Sequence, residues 1–372
     1  MATFKRSSTE VKTNPAASPT NSTNLPELNA PEVPGNRRSY ARMGFAMLAA
    51  ILAIEGVGRV AEQRLPPEPK WGSPLAATHA QNLARGPIDV LVVGSSSAGV
   101  ALPGLRVAEA AGLRSGYTPW IPGATMEHVE MLTFAMAFKP APCLLVIGTT
   151  MREFNGKGSA ADTGRDVREN REYQKARGNT IEKADAFLRD VSATARLRRW
   201  FSKPRDLLSN LKNPQPEVSI FKSGPDGRFI NNLDGVLATQ PAGHLEQERK
   251  ELLDYELDPR HLQTLTKVIR RATESGSLVI VVNVPTHPNF HALAPRGETD
   301  YEQYLAAVTK TAIDAGVMFL DPSTPTRFTD LEFRDVNHVN ERGTQRLLRS
   351  IQPELRAAVA ATKQPRCTEA RN

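Results

Sequence analysis

Short apolar runs, several of them followed by glycine, alternate with longer amphipathic stretches through most of the chain. The first run is Asp89–Val93, which is followed at once by Gly94 and three serines. Short runs of aliphatic and β-branched residues are typical of strands that are buried on both faces of a sheet. Further strands are predicted near Tyr117 and at Cys143–Gly148, Leu278–Val284 and Val317–Leu320.

The stretches between these runs have helical patterns. Helices are predicted at Pro103–Ala111, Glu127–Phe138 and Tyr301–Ala315, and around one apolar stripe formed by Leu262, Leu265, Val268, Ile269 and Ala272. Strands that alternate with helices predict a parallel sheet with right-handed crossovers. The predicted fold class is therefore α/β, a three-layer domain with a flavodoxin-like strand order at residues 86–360.

Regularity is lost between residues 155 and 258, where charged helical stretches alternate with loops. We interpret this segment as a helical insertion over one end of the sheet. Its basic cluster consists of Arg196, Arg198, Arg199, Lys203 and Arg205. Such a cluster is usually a solvated face, and contact with lipid or another polyanion is the alternative. Residues 361–372 are predicted to form a flexible tail.

The amino-terminal region predicts a membrane anchor. Residues 1–42 begin with a segment rich in Ser, Thr, Asn and Pro, which predicts a disordered tail. Residues 43–62 start with an uncharged apolar run and become long enough to span a bilayer if Glu55 and Arg59 pair at i,i+4 spacing. A cleaved signal peptide and a buried soluble helix are the alternatives. Residues 63–85, rich in proline at their start, are interpreted as a linker that leads into the domain.

Three arginines before the apolar run predict its orientation. Arg37, Arg38 and Arg42 would hold that end in the cytoplasm, so the globular domain is expected outside the cell membrane, on a single span. The formal net charge of +7 and the pI of about 9.5 favour anionic surroundings. The basic residues are scattered, however, and no nucleic-acid motif is present, so nucleic acid is not expected as a partner. The two cysteines do not define a redox compartment, and Cys143 is interpreted as a buried apolar residue.

Two motifs at opposite ends of the domain carry candidate chemistry. Ser96 follows the first predicted strand, at the sheet edge where α/β proteins place their sites. Asp335 and His338, three residues apart, open the last predicted helix. A histidine can take a proton from a serine hydroxyl while an aspartate fixes the imidazole tautomer. Each motif alone is a weak signal, but the pair predicts a Ser-His-Asp triad.

At these residues the chain resembles the SGNH (GDSL-like) hydrolases. Gly94-Ser95-Ser96 is similar to the first block of the family, with Ser at the usual Asp place, and Gly123 lies in a segment similar to the second block. Asp335-x-x-His338 is similar to the last block. The resemblance covers roughly residues 88–352, and the membrane-anchored layout is similar to SGNH-like proteins of alginate O-acetylation and D-alanylation.

The resemblance implies a role for each of these residues. It makes Ser96 the nucleophile, His338 the base and Asp335 its partner, and it places the backbone N–H groups of Ser96 and Gly123 in an oxyanion hole. The third block of the family ends in Gly-x-Asn, whose Asn donates to the oxyanion, whereas this chain has Thr150 at that position. The Thr150 hydroxyl is therefore a candidate oxyanion donor, with Arg152 and Asn155 as alternatives and as candidate substrate-binding residues.

Several other residues are candidates of lower rank. His287 and His291 follow the fourth predicted strand and could line the pocket or bind a metal, although a structural role is the simpler interpretation, and no metal site is predicted. Ser95 and Ser97 are interpreted as turn-forming neighbours of Ser96, and His128 as a helix-surface or core histidine.

These observations predict an extracytoplasmic serine esterase or O-acyltransferase that acts on an acylated carbohydrate or cell-envelope polymer without a cofactor. The layout also allows a membrane-bound acyl-donor protein as a partner. The altered third block favours one rival, a catalytically impaired SGNH-like domain that binds glycan or scaffolds an envelope assembly. A second rival is an unrelated flavodoxin-like module whose serine turn, residues 95–97, binds an anion with backbone N–H groups.

Overall fold

The protein is represented by a computed structural model. It describes residues 37–63, 65, 74–133, 140–157, 170–201, 222–230, 234–235, 242–323 and 328–371. By internal contacts the chain divides into two units, Met1–Leu52 and Ala53–Asn372. The predicted disordered tail lies outside the described residues up to residue 36.

The described residues form six strands in one sheet. The strands are β1 (Val90–Ser95), β2 (Gly116–Tyr117), β3 (Trp120–Ile121), β4 (Leu144–Thr149), β5 (Leu278–Asn283) and β6 (Met318–Leu320). The strand order is β2-β1-β4-β5-β6, and β3 pairs with the end of β1 through Gly94 and Ser95. Every pairing within the sheet is parallel, so the predicted α/β class with a parallel sheet is confirmed.

The helices include α1 (Arg37–Glu62), α2 (Pro74–Leu83), α3 (Ser96–Ala101), α4 (Gly104–Ala111), α5 (Met126–Met131), α6 (Arg171–Arg177), α7 (Thr180–Val191), α8 (Ala193–Phe201), α9 (Ala242–Leu252), α10 (Pro259–Glu274), α11 (Pro288–His291), α12 (Glu298–Asp314), α13 (Glu341–Ala361) and α14 (Pro365–Arg371). Two 3-10 helices lie at Met151–Phe154 and Asp330–Glu332.

Helices cover both faces of the sheet. Alternate residues of β1 point to opposite sides, because side chains in a strand alternate. Leu91 and Val93 belong to a core cluster with α5, α10 and α12. Val90 and Val92 belong to a second cluster with α3, α4 and α13. The domain therefore has three layers, and the polar residues after β1 and β4 lie at one edge of the middle layer.

The structure differs from the sequence-based expectations at several places. Trp120–Ile121, which is not among the predicted strands, forms the short strand β3. One of the charged helical stretches predicted in the insertion, residues 182–199, forms parts of two helices that meet at Ser192. The second half of the expected helix 127–138 lies outside the described residues from residue 134 onward.

The carboxyl-terminal segment, expected to be a flexible tail, ends in helix α14. Cys367 of this helix forms a disulfide with Cys143, which directly precedes β4. Both cysteines are almost fully buried. The interpretation of Cys143 as only a buried apolar residue is therefore corrected, because it ties the last helix to the sheet.

Helix α1 has the length and composition of a membrane span. Residues Tyr40–Glu62 have a mean hydropathy of 1.6, and only 6% of the apolar window is buried. The helix begins at Arg37, six residues before the expected start of the anchor. A large apolar side chain such as Phe45 is 74% exposed. A signal sequence near the amino terminus would have the same properties, so this observation supports a membrane anchor weakly.

Candidate active site

Ser96 lies at the sharp turn from β1 into α3. Gly94 makes this turn feasible, because a Cβ on Gly94 would lie 2.5 Å from the Ala98 side chain and 2.6 Å from the Gly148 carbonyl oxygen. Ser95 caps α3 by accepting a hydrogen bond from the Ser97 N–H at 3.3 Å. Ser96 is the first residue of the helix, and its side chain is buried at the carboxyl edge of the sheet.

Asp335 and His338 lie in the loop that precedes α13. Oδ1 of Asp335 accepts hydrogen bonds from the backbone N–H of His338 at 2.8 Å and of Asn337 at 3.1 Å. The Arg334 guanidinium donates to Oδ2 of Asp335 at 3.1 Å. These contacts hold the carboxylate in one orientation toward the imidazole.

The structure brings the three predicted triad residues together, although Ser96 and His338 are 242 positions apart. Nε2 of His338 lies 2.8 Å from Oγ of Ser96. Nδ1 of the same ring lies 2.8 Å from Oδ1 of Asp335. With the proton on Nδ1, His338 donates to Asp335 and accepts from the Ser96 hydroxyl. This arrangement can remove a proton from Ser96 during nucleophilic attack.

Burial holds the pKa of the His338 imidazole below its ordinary value. The neighbouring Asp335 raises this pKa, whereas the positive charges of Arg334 and Arg152 lower it further. The net shift is downward, so the ring is neutral at neutral pH. A neutral ring is the form that can accept a proton.

An aromatic cluster supports the imidazole from the side of the insertion. Phe229 lies with its ring centroid 6.3 Å from that of His338 and 4.6 Å from that of Trp120. The Arg334 guanidinium lies over the Phe229 ring at 4.9 Å. Trp120 in turn donates through Nε1 to the Gly227 carbonyl at 2.9 Å. Part of the predicted insertion therefore belongs to the wall of the site.

Sequence reasoning missed Phe229 and Trp120 as site residues. The turn Ser223–Gly227 marks a loop, but no periodic pattern around it indicates which part of the domain the next residue contacts. The contact is made across the fold, where Phe229 N–H donates to the Gly99 carbonyl at 3.0 Å. Such a contact between distant segments has no local sequence signal.

Gly123 lies at the turn after β3 and has a positive φ of 64°. Glycine adopts this conformation without a steric cost. The nearest atom to the position that a Cβ would occupy is Nη2 of Arg152, at 3.4 Å. Gly123, in the segment that resembles the second block, and Arg152, which follows the altered third block, are therefore neighbours in space.

Arg152 is a buried cation whose second terminal nitrogen has no bonding partner in the described structure. Its side chain is 7% exposed, and Nη1 lies 2.7 Å from Oε2 of Glu251. Nη2 is buried and makes no hydrogen bond. Burial alone lowers the pKa of Arg152, but the charges of Glu251, Glu248 and Glu153 raise it, and the net direction is upward. The guanidinium therefore stays charged beside Gly123.

Thr150 is engaged elsewhere. Its hydroxyl donates to the Glu153 carboxylate, and its backbone N–H donates to the same oxygen at 2.8 Å. This capping box starts the 3-10 helix Met151–Phe154. In this arrangement the Thr150 hydroxyl proton is used by Glu153, so the predicted role of this hydroxyl as an oxyanion donor would require that hydrogen bond to break.

Asn155 has a structural role. Its side-chain amide donates to the Glu251 carbonyl at 2.8 Å, and Oδ1 accepts from the N–H groups of Lys157 and Glu256 at 3.1 Å each. The residue is fully buried. The side chain of Asn155 therefore joins the end of the 3-10 helix Met151–Phe154 to α9 and to the loop that follows α9.

The other candidate histidines are also bonded within the fold. Nδ1 of His287 accepts from the Asn289 N–H at 3.1 Å, and Nε2 lies 3.1 Å from Asp330. His291 is stacked on Tyr301 with ring centroids 3.6 Å apart. His128 is buried behind the Thr125 cap, and burial lowers its pKa to about 4. The structure does not bring His287 into contact with the triad through any hydrogen bond among the described residues.

Helix α9 links two parts of the site. Glu251 pairs with Arg152, and Glu248 accepts a hydrogen bond from the Asn337 amide at 2.7 Å. Asn337 lies between Asp335 and His338 in the chain. One helix at the end of the insertion thus braces both the guanidinium and the loop that carries the acid and the base.

Among the described residues, no group of three or more His, Cys, Asp or Glu side chains is arranged to hold a metal ion. Comparison with known proteins finds no family model that matches the chain. It also finds no curated protein that is significantly similar to it. The site geometry is therefore the basis on which a function can be argued.

Proposed function

We propose that the protein is a membrane-anchored serine esterase or O-acyltransferase of the SGNH type. The observation that carries the proposal is the hydrogen-bonded chain from Ser96 Oγ through the His338 ring to Asp335, with both distances at 2.8 Å. The strand order, which follows the flavodoxin-like pattern when β3 is left aside, supports the same family.

In the proposed reaction Ser96 forms an acyl-enzyme. Oγ of Ser96 attacks the acyl carbonyl carbon while Nε2 of His338 takes the hydroxyl proton. The bond between the acyl carbon and the leaving oxygen then breaks, and His338 returns the proton to that oxygen. Water or a sugar hydroxyl attacks the acyl group, His338 takes its proton, and Ser96 regains that proton when the acyl group leaves.

The oxyanion would form beside Ser96 and Gly123, where three donors are proposed. Two are the backbone N–H groups of Ser96 and Gly123, and the third is Nη2 of Arg152. Arg152 is preferred to Thr150 and Asn155 because Nη2 has no bonding partner in the described structure, whereas the side chains of the other two are bonded elsewhere. A charged donor that is already fixed in a buried site stabilises developing negative charge strongly.

The substrate class follows from the proposed location. Residues Arg37, Arg38 and Arg42 favour a cytoplasmic amino terminus, which leaves the domain on the outside of a bacterial-type cell membrane. The buried Cys143–Cys367 disulfide supports this side, because disulfides persist in oxidising compartments. Acylated carbohydrates and envelope polymers are the acyl donors and acceptors available there.

The test of the chemistry is covalent labelling of the full-length protein with a fluorophosphonate, read by intact mass and peptide mapping. We expect one adduct, on Ser96. Ser96→Ala should abolish the adduct, whereas Ser97→Ala, the matched control at the next buried serine, should retain it. Failure of the folded parent protein to react would contradict the proposal and favour a glycan-binding or scaffolding domain.

The test of the location is a pair of reporters fused after Asn372. A reporter that is active only outside the cytoplasm should be active, and a cytoplasmic reporter should be silent. Activity of the cytoplasmic reporter would contradict the proposed topology without affecting the proposed chemistry.

A further inference from the structure

Helix α7 turns its apolar side chains outward. The exposed fraction is 80% for Ile181, 63% for Phe187, 54% for Leu188 and 51% for Val191. At about 100° per residue these positions, with Ala184, lie within one stripe about 120° wide. A surface helix of a protein in water normally buries such a stripe. Helix α7 has the opposite orientation, because its apolar stripe is exposed.

Charge pairs on the inner side of α7 fix this orientation. Arg189 is only 1% exposed and bonds to Gln174, and it pairs with Asp185 at 3.2 Å. Asp190 pairs with Lys175 at 2.5 Å and with Arg171 at 3.4 Å. Rotation of α7 to bury its apolar stripe would separate these pairs. The outward stripe is therefore a built feature of the surface.

The end of α7 contacts the carboxyl part of α1. The Glu55 carboxylate accepts hydrogen bonds from Ser192 Oγ and the Ala193 N–H at 2.8 Å each, so it caps α8. Thr194 lies against Gly58, where a Cβ would come within 2.7 Å of its hydroxyl oxygen. Arg196 pairs with Glu62 at 2.5 Å. The corner between α7 and α8 is thus joined to residues 55–62.

The length of α1 places these same residues in or next to the membrane. The uncharged run Met43–Ile54 rises only about 18 Å at 1.5 Å per residue. The hydrocarbon core of a bilayer is about 30 Å thick. If α1 spans the membrane, residues 55–62 must cross the remaining thickness. The α7–α8 corner that they contact would then lie at the same depth.

We propose that the apolar stripe of α7 lies in the outer lipid boundary of the membrane that α1 crosses. The stripe would contact acyl chains. Lys183 near it is exposed and would reach lipid phosphates, as expected for an interfacial helix. Arg198 is also exposed but pairs with Asp185 at 2.5 Å, so it is already neutralised within the protein. Four large apolar residues beside one exposed lysine suit a lipid surface better than an aqueous one. The proposal depends on α1 as an anchor and is independent of the proposed chemistry of Ser96.

The experiment uses the full-length chain in lipid nanodiscs with added tryptophan at single positions. Phe187→Trp places the probe in the stripe, and Ile313→Trp is the matched control, since Ile313 of α12 is an equally exposed apolar side chain, at 64%. Lipids brominated along their acyl chains quench tryptophan only at close range. The signal of the three natural tryptophans is subtracted by measuring the parent protein.

We expect the added emission of Phe187→Trp to be blue-shifted and lost in brominated nanodiscs, and that of Ile313→Trp to be unchanged. Leu188→Trp is a second probe in case the first variant misfolds. Full emission from both stripe probes would overturn the proposal. Protection from an aqueous quencher that depends on protein concentration rather than on lipid would also overturn it, and would indicate a second copy of the chain on this surface. Quenching at position 187 in a protein without fluorophosphonate reactivity would support the membrane contact while the proposed function fails.

Discussion

The edge of the sheet and the α7–α8 corner differ in which side chains they bury and which they expose. At the sheet edge, charged and polar groups such as Asp335 and Arg152 are buried, and most of their bonding capacity is satisfied by neighbouring groups. At the corner, the buried groups are also charged, but large apolar residues such as Phe187 face outward. Buried polar groups need fixed partners, whereas an exposed apolar face needs an apolar environment.

This difference matches the two proposals made above. The polar edge has the fixed hydrogen bonds that chemistry requires, and one donor, Arg152 Nη2, without a partner in the described structure. The side chains of the apolar stripe of α7 contain no hydrogen-bond donor or acceptor. These observations support the proposed chemistry at the first region and the proposed membrane contact at the second. The predictions below test each assignment, from the largest expected effect to the smallest.

The largest effect is expected for Asp335→Asn. The amide cannot accept the Nδ1 proton in the same way, so the imidazole is held in the wrong tautomer. Turnover of a small acyl ester should fall by up to ~10⁴-fold, by analogy with serine proteases. Steady-state kinetics with a matched thermal melt gives the measurement. Parental turnover in a folded variant would contradict the assignment of the triad.

The second effect concerns the oxyanion donor. Arg152→Lys keeps the positive charge that Glu251, Glu248 and Glu153 require but removes Nη2. We expect kcat to fall by about 10²–10³-fold, with a smaller change in KM, because the donor acts on charge that develops in the transition state. Thr150→Ser is the control, since it keeps the hydroxyl that donates to Glu153.

An equal loss in both variants would show that the 3-10 helix, rather than Nη2, supports catalysis. A rise in KM without a fall in kcat would instead make Arg152 a residue that binds an anionic part of the substrate. Either result would leave the triad assignment in place.

The sequence predicted the sheet well, because its strands depend on local apolar runs. The runs at Leu144–Thr149 and Leu278–Asn283 pair over their full length and are almost fully buried. The positions of the three candidate residues were predictable, because Ser96 directly follows strand β1 and the Asp335–His338 pair directly precedes helix α13. The meeting of these motifs follows from the parallel topology, which brings strand ends to one edge.

The parts that the sequence did not predict depend on contacts between distant segments. The disulfide joins residues that are 224 positions apart. Phe229 contacts His338 from a loop with no periodic pattern. The position of the Arg152 guanidinium depends on Glu251, which lies in the insertion and pairs with Nη1. The reversed orientation of α7 depends on Arg189 and its partners, and a hydrophobic pattern alone gives the stripe but not the direction that it faces.

The third prediction concerns the joint between α1 and α8. A Cβ at position 58 would meet the Thr194 hydroxyl at 2.7 Å and the Thr194 backbone nitrogen at 3.0 Å, whereas nothing lies within 4 Å of a Cβ at position 56. Gly58→Ala should therefore destabilise the joint by about 1–3 kcal/mol. Gly56→Ala should be neutral or stabilise the helix by up to ~1 kcal/mol.

Both variants of the joint are measured by thermal unfolding of the full chain in detergent. Equal melting temperatures would show that residues 55–62 are not packed on α8. That outcome would remove the geometric basis for placing α7 at the membrane, while the predictions for Ser96 and Arg152 would be unaffected.

The smallest effect is expected in the pH dependence of catalysis. His338 must be neutral to act as a base, and burial holds its pKa below the ordinary value near 6.5. Activity should therefore persist as the pH falls through 6.5 and decline only below it. The Arg334 charge adds to this lowering, so Arg334→Gln should raise the pKa of His338 and move the acid limb of kcat/KM to higher pH. Arg342→Gln removes the same charge at an exposed position of α13 and should leave the limb in place.

Because burial is the larger cause of the lowered pKa of His338, the pKa shift in Arg334→Gln should be smaller than the full difference between the pKa of His338 and its ordinary value. An acid limb that moves to lower pH in Arg334→Gln would have the wrong sign for this account, and would mean that the group that titrates in the rate profile is not the His338 imidazole.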